Sequence, residues 1–309
     1  MSIDMEYIHS IDNLRIPEKT VATIGKFDGI HRGHQDLINK VKEYGSETIR
    51  TVIFTFDISP KELLAGRNEK VLVTNHERAL ILEKMGIDYL IECPFTSAIS
   101  QMEAEDFIRD FLIGRLNMKY VVVGEDNHFG KDRKGDSHLL QRMGEELGFE
   151  TFVLLKKQLD DKDISSSSIK REMKRGNMGK VNELLGYPYT IVGKVVYGNQ
   201  LGRTINVPTT NLIPETAKIL PPNGVYTSKS IVDGTYYNGI TNIGYNPTIG
   251  DHNLQGVETY MFDYDGNLYG KEIAIQLFAF ERTERKFTSV EELQKQLAID
   301  IAFGKEFFK

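Results

Sequence analysis

Apolar and polar positions alternate along residues 1–186 in a pattern that predicts strands and helices in turn. Short apolar runs predict buried strands, for example at residues 51–56 and 120–123. Residues 104–112 and 137–147 instead carry apolar side chains at helical spacing. Strands that alternate with helices indicate a parallel sheet with helices on both faces. We therefore expect an α/β domain over this part of the chain.

The pattern changes near Tyr187, where short β-rich segments follow one another without helices between them. Turn-rich stretches separate these segments, which lie at residues 189–197, 225–232, 236–243, 258–262 and 273–280. Closely spaced strands of this kind predict an antiparallel β-barrel. Residues 290–303 then predict one amphipathic helix. We expect a second domain over residues 187–309, a barrel with a terminal helix.

The composition is that of a globular protein, with 40% hydrophobic and 27% charged residues in a chain of 309. A formal net charge of −6 argues against general nucleic-acid binding, for which basic chains are typical. The single cysteine, Cys93, excludes an intrachain disulfide, and its apolar surroundings favour a buried structural thiol. We find neither a signal peptide at the start of the sequence nor an apolar run of bilayer length. We expect a cytoplasmic protein without membrane or nucleic-acid partners, and leave its oligomeric state open, with a homo-oligomer among the alternatives.

The stretch Val21–Gln35 carries the first candidate site. An apolar run ends at Gly25, a glycine-punctuated turn follows, and an amphipathic helix begins near Gly33. This arrangement presents free backbone N–H groups to a phosphate. His31 and His34 lie in the turn, where imidazoles donate hydrogen bonds to phosphate oxygens. A metal-binding histidine pair and an ordinary surface turn are the alternatives, but the combination favours a nucleotide-phosphate site.

A P-loop is excluded as the phosphate site, because no Gly-Lys pair in the chain is followed by Ser or Thr. Any nucleotide chemistry therefore uses another phosphate-binding geometry. The glycine turn before the first long helix is the candidate for it.

One motif resembles the signature of the bacterial bifunctional riboflavin kinase/FAD synthetase family, within the His-x-Gly-His nucleotidyltransferases: Gly25-Lys26-Phe27-Asp28-Gly29-Ile30-His31-Arg32-Gly33-His34-Gln35. The resemblance implies a Rossmann-like FMN adenylyltransferase domain over residues 1–186 and a riboflavin kinase domain over residues 187–309. It implies that ATP phosphorylates riboflavin to FMN, and that FMN and a second ATP give FAD and pyrophosphate. It also implies that His31 and His34 are catalytic. The implied ATP contacts in this motif are Gly25, Lys26, Phe27, Asp28 and Gly33.

A second polar turn, Gly124–Asp136, follows the strand predicted at residues 120–123. It resembles the family's Gly-x-[Asp/Asn]-Phe-x-Phe-Gly turn, which is followed by Arg-x-Gly-Asp. The resemblance implies contacts to flavin or nucleotide from Asp126, Asn127 and Phe129. Asn127 stands where the family usually has Phe. Without the resemblance, an ordinary hydrated loop is an equal alternative.

Serines precede a predicted helix in Ile164-Ser165-Ser166-Ser167-Ser168-Ile169-Lys170-Arg171. Serine is a good helix N-cap, and this structural role is the alternative to a functional one. The segment resembles the family's Ile-Ser-Ser-Thr-x-Ile-Arg motif. The ATP-phosphate contacts that this implies are Ser165, Ser166, Ser167 and Lys170. Ser167 keeps the hydroxyl of the usual Thr, whereas Lys170 lacks the bidentate fork of the usual Arg.

The barrel region carries a further motif, Gly202-Arg203-Thr204-Ile205-Asn206-Val207-Pro208-Thr209-Thr210-Asn211-Leu212. It resembles the riboflavin-kinase motif Gly-Arg-x-x-Gly-Phe-Pro-Thr-Ala-Asn. The resemblance implies ATP contacts at Gly202 and Arg203. It implies a Mg²⁺ site at Thr209 and Asn211, whose oxygens suit this hard cation. Later matching segments imply Glu258 as the catalytic base and Arg282, Arg285 and Phe287 as flavin contacts.

Three alternatives stay open. The kinase motif has departures at Asn206, Val207 and Thr210. These departures allow an enzyme that makes FAD from supplied FMN with a weak or lost kinase, although the retained motif residues argue against it. A flavin-binding regulator without turnover is the second alternative, and a metal-dependent hydrolase built on the two histidines is the third. Ser59-Pro60 stands where the family has His-Pro, so a substrate contact made by that histidine is absent.

Overall fold

The computed structural model describes residues 5–57, 70–198, 205, 207–245 and 255–309. Packing divides the chain into two compact units, Met1–Ser165 and Ser166–Lys309. The helices between Ser166 and Leu185 group with the second unit in this division. The sequence pattern assigns them to the first, and the boundary after residue 186 stays a prediction.

The first unit is built on a six-stranded sheet whose strands are all parallel. The strands are β1 Glu6–Ile8, β2 Lys19–Ile24, β3 Ile49–Phe56, β4 Tyr89–Cys93, β5 Met118–Gly124 and β6 Glu150–Leu154. Their order across the sheet is β1-β4-β3-β2-β5-β6, so β2 lies between β3 and β5. Because the carboxyl ends of parallel strands lie at one edge, the turns after Ile24 and Gly124 are neighbours there. The predicted α/β, Rossmann-like class is confirmed.

Helices alternate with these strands, and those at Arg32–Tyr44 and Ser137–Leu147 lie where the apolar spacing predicts them. The helices are α1 Arg32–Tyr44, α2 Asn75–Lys84, α3 Ser97–Ser100, α4 Ala104–Asp106 and α5 Ser137–Leu147, with a 3₁₀ turn at Lys131–Arg133. A capping box fixes the start of α2, in which Thr74 accepts from the Glu77 amide and the Glu77 side chain accepts from the Thr74 amide. Asp136 caps α5 through the Leu139 amide, at 2.8 Å. Gln158–Leu159 (β7) and Lys162–Asp163 (β8) form a small antiparallel pair.

The helix predicted over residues 104–112 differs in type, because Phe107–Ile113 is a π-helix. Its wider turn places Phe107, Ile108, Phe111 and Leu112 on one face, and all four side chains are buried. The Phe54 ring of β3 packs against Phe107 with centroids 5.6 Å apart. These four side chains join the helix to the apolar core of the first unit.

The cysteine of this unit behaves as predicted. Cys93 ends β4 with no exposed surface. Burial raises the pKa of its thiol to about 12, so the reactive thiolate is suppressed at neutral pH. Cys93 is a structural thiol.

The second unit is a closed antiparallel barrel of six strands with helices beside it. The strands are β9 Tyr189–Val196, β10 Thr210–Leu212, β11 Gly224–Val232, β12 Thr235–Tyr245, β13 Gln255–Met261 and β14 Glu272–Arg282. The helices are α6 Ser166–Lys174, α7 Met178–Leu185 and α8 Val290–Phe307. The predicted barrel with a terminal helix is confirmed. The sequence pattern missed the two shortest described strands of the main sheets, β1 and β10.

Candidate active sites

The turn between β2 and α1 has an unusual backbone that two buried side chains anchor. Phe27 and Ile30 have φ values of 49° and 37°, a region that side chains of this size rarely occupy, and neither has exposed surface. The Ile30 amide donates to the Phe27 carbonyl at 3.3 Å, and the Gln35 side chain donates to the Ile30 carbonyl at 2.8 Å. This folded turn delivers His31 to the position that precedes the first turn of α1.

His31 and His34 form a stacked pair at the start of α1. Their ring centroids are 3.7 Å apart and their planes differ by 17°. Both Nδ1 atoms are buried without a hydrogen-bond partner in the described part of the chain. Gly33 allows this approach, because a Cβ there would lie 3.3 Å from the Nδ1 atom of His31. The two Nδ1 atoms lie at a helix N-terminus and have no protein partner in that part of the chain. They are therefore available to form hydrogen bonds with a ligand.

Burial sets the charge of this pair. It lowers the pKa of His31 to about 4, against the opposing charges of Asp28 and Asp126. Burial also lowers the pKa of His34 well below the usual value, and the neighbouring His31 lowers it further. Both imidazoles are therefore neutral in the free protein at neutral pH, and each carries one N–H. A negatively charged ligand would favour their protonated forms.

The second predicted turn meets the first, as the sheet order requires. The Asn127 side chain donates to the Ile24 carbonyl at 2.9 Å, which ties the end of β2 to the turn after β5. The Asp126 carboxylate forms an ion pair with Lys156 at 3.2 Å, and its charge acts on His31. Phe129 lies in the core, 5.6 Å from the Phe107 ring. Asp126 thus acts on His31 and Asn127 binds the end of β2, while the flavin contact expected of Phe129 rests on the resemblance alone.

The remaining residues of the first motif hold the turn in place. The Gly25 amide donates to the Phe54 carbonyl at 3.1 Å, and the Lys26 carbonyl accepts from Thr55 at 3.4 Å. Asp28 is buried, and its carboxylate accepts from the Leu72 amide at 2.6 Å. A carboxylate repels phosphate, so this geometry favours a scaffold role for Asp28 over the direct ATP contact that the motif implies.

The serine motif lies where a helix begins, as predicted. Ser165 ends the first compact unit, and Ser166 begins α6, with Ser167 and Lys170 in its first turns. Their contacts to ATP phosphates stay a prediction.

A cavity of about 340 Å³ lies within the second unit. Its polar lining includes three side chains on neighbouring strands, Asn211, Glu258 and Asn242. Glu258 on β13 is in register with Asn211 on β10 and with Asn242 on β12. Thr209 also lines the cavity and donates through its Oγ1 atom to Glu258 Oε1 at 2.6 Å. The structure therefore brings together the predicted base and both predicted metal ligands. Gly198 makes room for Asn211, because a Cβ there would lie 2.4 Å from the Asn211 amide nitrogen.

The same cavity is bounded by the end of β14 and by α8. Arg282 binds the fully buried carboxylate of Asp300 through Nε at 2.9 Å and Nη2 at 2.5 Å. Arg285 is held by Glu292 at 2.6 Å, and its guanidinium lies over the Phe287 ring at 5.0 Å. These predicted flavin residues line the cavity. Arg282 nevertheless uses two of its donor groups to bind Asp300. This contact links the end of β14 to α8.

Several lining residues were not singled out from the sequence, among them Asn242, Glu284 and Asp300. Asn242 donates to Glu284 at 3.3 Å, and Asp300 receives Arg282 from the inner face of α8. The signal for Asp300 was a charged residue between Ile299 and Ile301 in an otherwise amphipathic helix. Burial and the charge of Asp300 also raise the pKa of the adjacent Glu281 to about 7.

Some predicted contacts fall outside the described residues. These contacts are Gly202 and Arg203. The motif departures at Ser59 and Asn206 also lie outside the described residues. Within the described residues, no group of three or more His, Cys, Asp or Glu side chains could hold a metal ion. In the same part of the chain, no helix combines the length and apolar character needed to cross a bilayer.

The fold and the two sites define a two-domain enzyme of nucleotide-dependent phosphate chemistry. One family model, for FAD synthetase, matches residues 13–168, and a second, for riboflavin kinase, matches residues 185–308. The chain belongs to the bifunctional riboflavin kinase/FMN adenylyltransferase family.

Relatives match over nearly the whole chain. The bifunctional riboflavin kinase/FMN adenylyltransferase of Escherichia coli K12 is 35% identical and covers 98% of both chains. The protein of that name from Bacillus subtilis 168 is 35% identical and covers 91% of this chain and 90% of its own. A solved structure from Streptococcus pneumoniae, described as a macrolide-efflux protein, matches with a TM-score of 0.86 and 28% identity. It covers 98% of this chain and 99% of its own.

Proposed function

We propose that this chain phosphorylates riboflavin to FMN in its barrel and adenylylates FMN to FAD in its α/β unit, with ATP as co-substrate in both reactions. The hydrogen bond between Thr209 and Glu258 in the barrel cavity carries the proposal. It places a carboxylate beside the motif hydroxyl, which the kinase reaction requires and a flavin-binding regulator does not. The cytoplasm, where ATP and flavins are available, is the proposed location.

In the kinase reaction, the ribityl hydroxyl oxygen attacks the γ-phosphorus of ATP while the bond to ADP breaks. Glu258 accepts the hydroxyl proton and Thr209 fixes the carboxylate in position. The oxygens of Thr209 and Asn211 fit Mg²⁺, a hard cation that proteins bind with few side chains together with substrate phosphates. Bound there, Mg²⁺ would neutralise phosphate charge. The cavity lining also includes apolar side chains such as Val225 and Ile240.

In the adenylyl transfer, a phosphate oxygen of FMN attacks the α-phosphorus of ATP and pyrophosphate leaves. His31 and His34 donate hydrogen bonds to the oxygens on which negative charge develops. The N-terminus of α1 contributes its partial positive charge at the same place. Burial keeps both imidazoles neutral in the free protein, so each donates through its single N–H.

The test is a product assay with purified protein, riboflavin, ATP and Mg²⁺, in which chromatography separates riboflavin, FMN and FAD by their fluorescence. A parallel reaction starts from FMN. FMN followed by FAD supports both activities. FAD from supplied FMN alone shows that the kinase is lost, and bound flavin without any product favours a regulator.

A further inference from the structure

A buried ion pair lies beneath the turn that carries the two histidines. Arg78 on α2 and Glu92 on β4 are 4% and 3% exposed, and Arg78 Nη2 donates to Glu92 Oε1. The other carboxylate oxygen of Glu92 accepts from the Tyr7 hydroxyl and lies 3.3 Å from His9 Nδ1. None of these residues belongs to a motif assigned above.

The ion pair reaches the turn through one backbone carbonyl. Arg78 Nη1 donates to the Lys26 carbonyl at 3.4 Å, and Thr55 Oγ1 donates to the same oxygen at 3.4 Å. In a planar trans peptide the carbonyl and the following N–H point in opposite directions. Fixing the Lys26 carbonyl on Arg78 and Thr55 therefore aims the Phe27 N–H away from them. Phe27 begins the strained backbone that ends at the histidine pair.

Stability alone does not account for this pair. Removing two charges from water is costly, and apolar side chains of similar size commonly serve a core as well. The arrangement is also imperfect, since Arg78 Nε is buried without a hydrogen-bond partner in the described part of the chain. Buried polar groups usually have partners, and a group that does not needs another reason to be there.

We infer that Arg78 and Glu92 are positioning residues for adenylyl transfer. Glu92 orients the guanidinium, the guanidinium holds the Lys26 carbonyl, and the carbonyl sets the direction of the first peptide of the histidine turn. This inference rests on the proposed FMN adenylyltransferase activity. It predicts an effect on turnover that protein stability does not explain.

The test compares Arg78→Met and Glu92→Met with the double variant R78M/E92M, in FMN adenylylation and in thermal melting. Riboflavin kinase activity of the same protein is the internal control. Each single variant should lose stability and lower the kcat for FAD formation by about 10- to 100-fold, because small misplacements at a reacting centre are costly. The double variant should regain stability, since no unpaired charge is left buried, and keep the low kcat. Recovery of kcat together with stability would overturn the inference.

Thr55→Val tests the same carbonyl with a change of shape small enough to preserve the fold. The loss of one hydrogen bond to Lys26 should lower the kcat for adenylylation by about fivefold, with the kinase unchanged. Thr151→Val is the matched control, because the Thr151 hydroxyl is buried on β6, outside the candidate site, without a partner in the described residues. Equal effects of the two changes would count against the positioning role.

The wild-type protein separates this inference from the proposed function. If it forms no FAD from FMN and ATP, the proposed adenylyltransferase activity is wrong. If it forms FAD and the Arg78, Glu92 and Thr55 variants keep the wild-type kcat, only the positioning role is wrong.

Discussion

Thr209 donates a hydrogen bond of 2.6 Å to Glu258, joining the first residue before β10 to the middle of β13. The two residues are 49 positions apart in the chain, and the barrel alone brings them together. Glu258 also lies in register between Asn211 and Asn242. The carboxylate thus sits in a fixed polar row at the wall of the cavity, with a hydroxyl holding one of its oxygens.

Glu258→Gln should lower the kcat of riboflavin phosphorylation by at least about 100-fold, because the amide cannot accept the ribityl proton. FAD formation from supplied FMN should continue. Glu272→Gln, a change at an exposed carboxylate on β14, is the matched control and should leave both activities intact. Kinase turnover near wild type in E258Q would show that the carboxylate is an ordinary strand residue.

Thr209→Val should lower kinase turnover by about 10-fold, since it removes both the oxygen proposed for Mg²⁺ and the hydrogen bond that holds Glu258. Steady-state kinetics at several Mg²⁺ concentrations measure the effect. Thr210→Val changes the adjacent hydroxyl, which donates to the Thr259 carbonyl instead. A similar loss in both variants would point to damage to β10 and not to a role of the Thr209 hydroxyl.

His31→Ala should reduce FAD formation by about 100- to 1,000-fold, because one donor to the developing phosphate charge is removed. FMN formation should continue at the wild-type rate, since the kinase site lies in the other unit. The product assay started from riboflavin then ends at FMN. Loss of both products in a folded variant would contradict the two-site scheme.

The stability of the first unit should rise with pH between about 4 and 6.5. Burial lowers the pKa of His31 to about 4, whereas an unfolded histidine titrates near 6.5. Within that window the unfolded chain binds a proton that the folded one does not, so stability falls as pH falls. Thermal melts across the range measure the slope. His31→Asn should reduce the slope and leave the part that the buried His34 contributes, whereas His138→Asn, at an exposed position, should not change it.

Asp300→Asn should destabilise the second unit by about 3 kcal/mol, because it removes the charge that two donors of Arg282 share in a buried site. Chemical unfolding, followed by loss of kinase activity, measures the cost. Glu292→Gln removes the partner of Arg285 in an exposed pair and should cost less than about 1 kcal/mol. Equal losses of stability in the two variants would mean that burial does not strengthen the contribution of the Asp300–Arg282 pair.

Sequence patterns predicted both architectures, since strands, helix starts and turns are local features, and the resemblance to the family supplied most of the proposed site residues. Sequence patterns did not predict the stacking of His31 on His34, because it depends on the left-handed backbone at Phe27 and Ile30. The partnership of Thr209 with Glu258 depends on strand register between distant segments. Asp300 was missed for a related reason: an acidic residue between two isoleucines marks an unusual position, but its partner Arg282 comes from another element and cannot be identified from the sequence.

The closed barrel constrains the order in which this protein can be made. Its last seam joins β9 to β14, so Ile191 finds its partner Ile275 only after more than a quarter of the chain has followed it. The parallel sheet of the first unit has all its strands by Leu154. During synthesis from the N-terminus, the first unit can therefore fold before β14, the strand that pairs with β9 in the barrel, has been synthesised. Long-range pairing of this kind is slow, which makes the kinase the later of the two activities to mature.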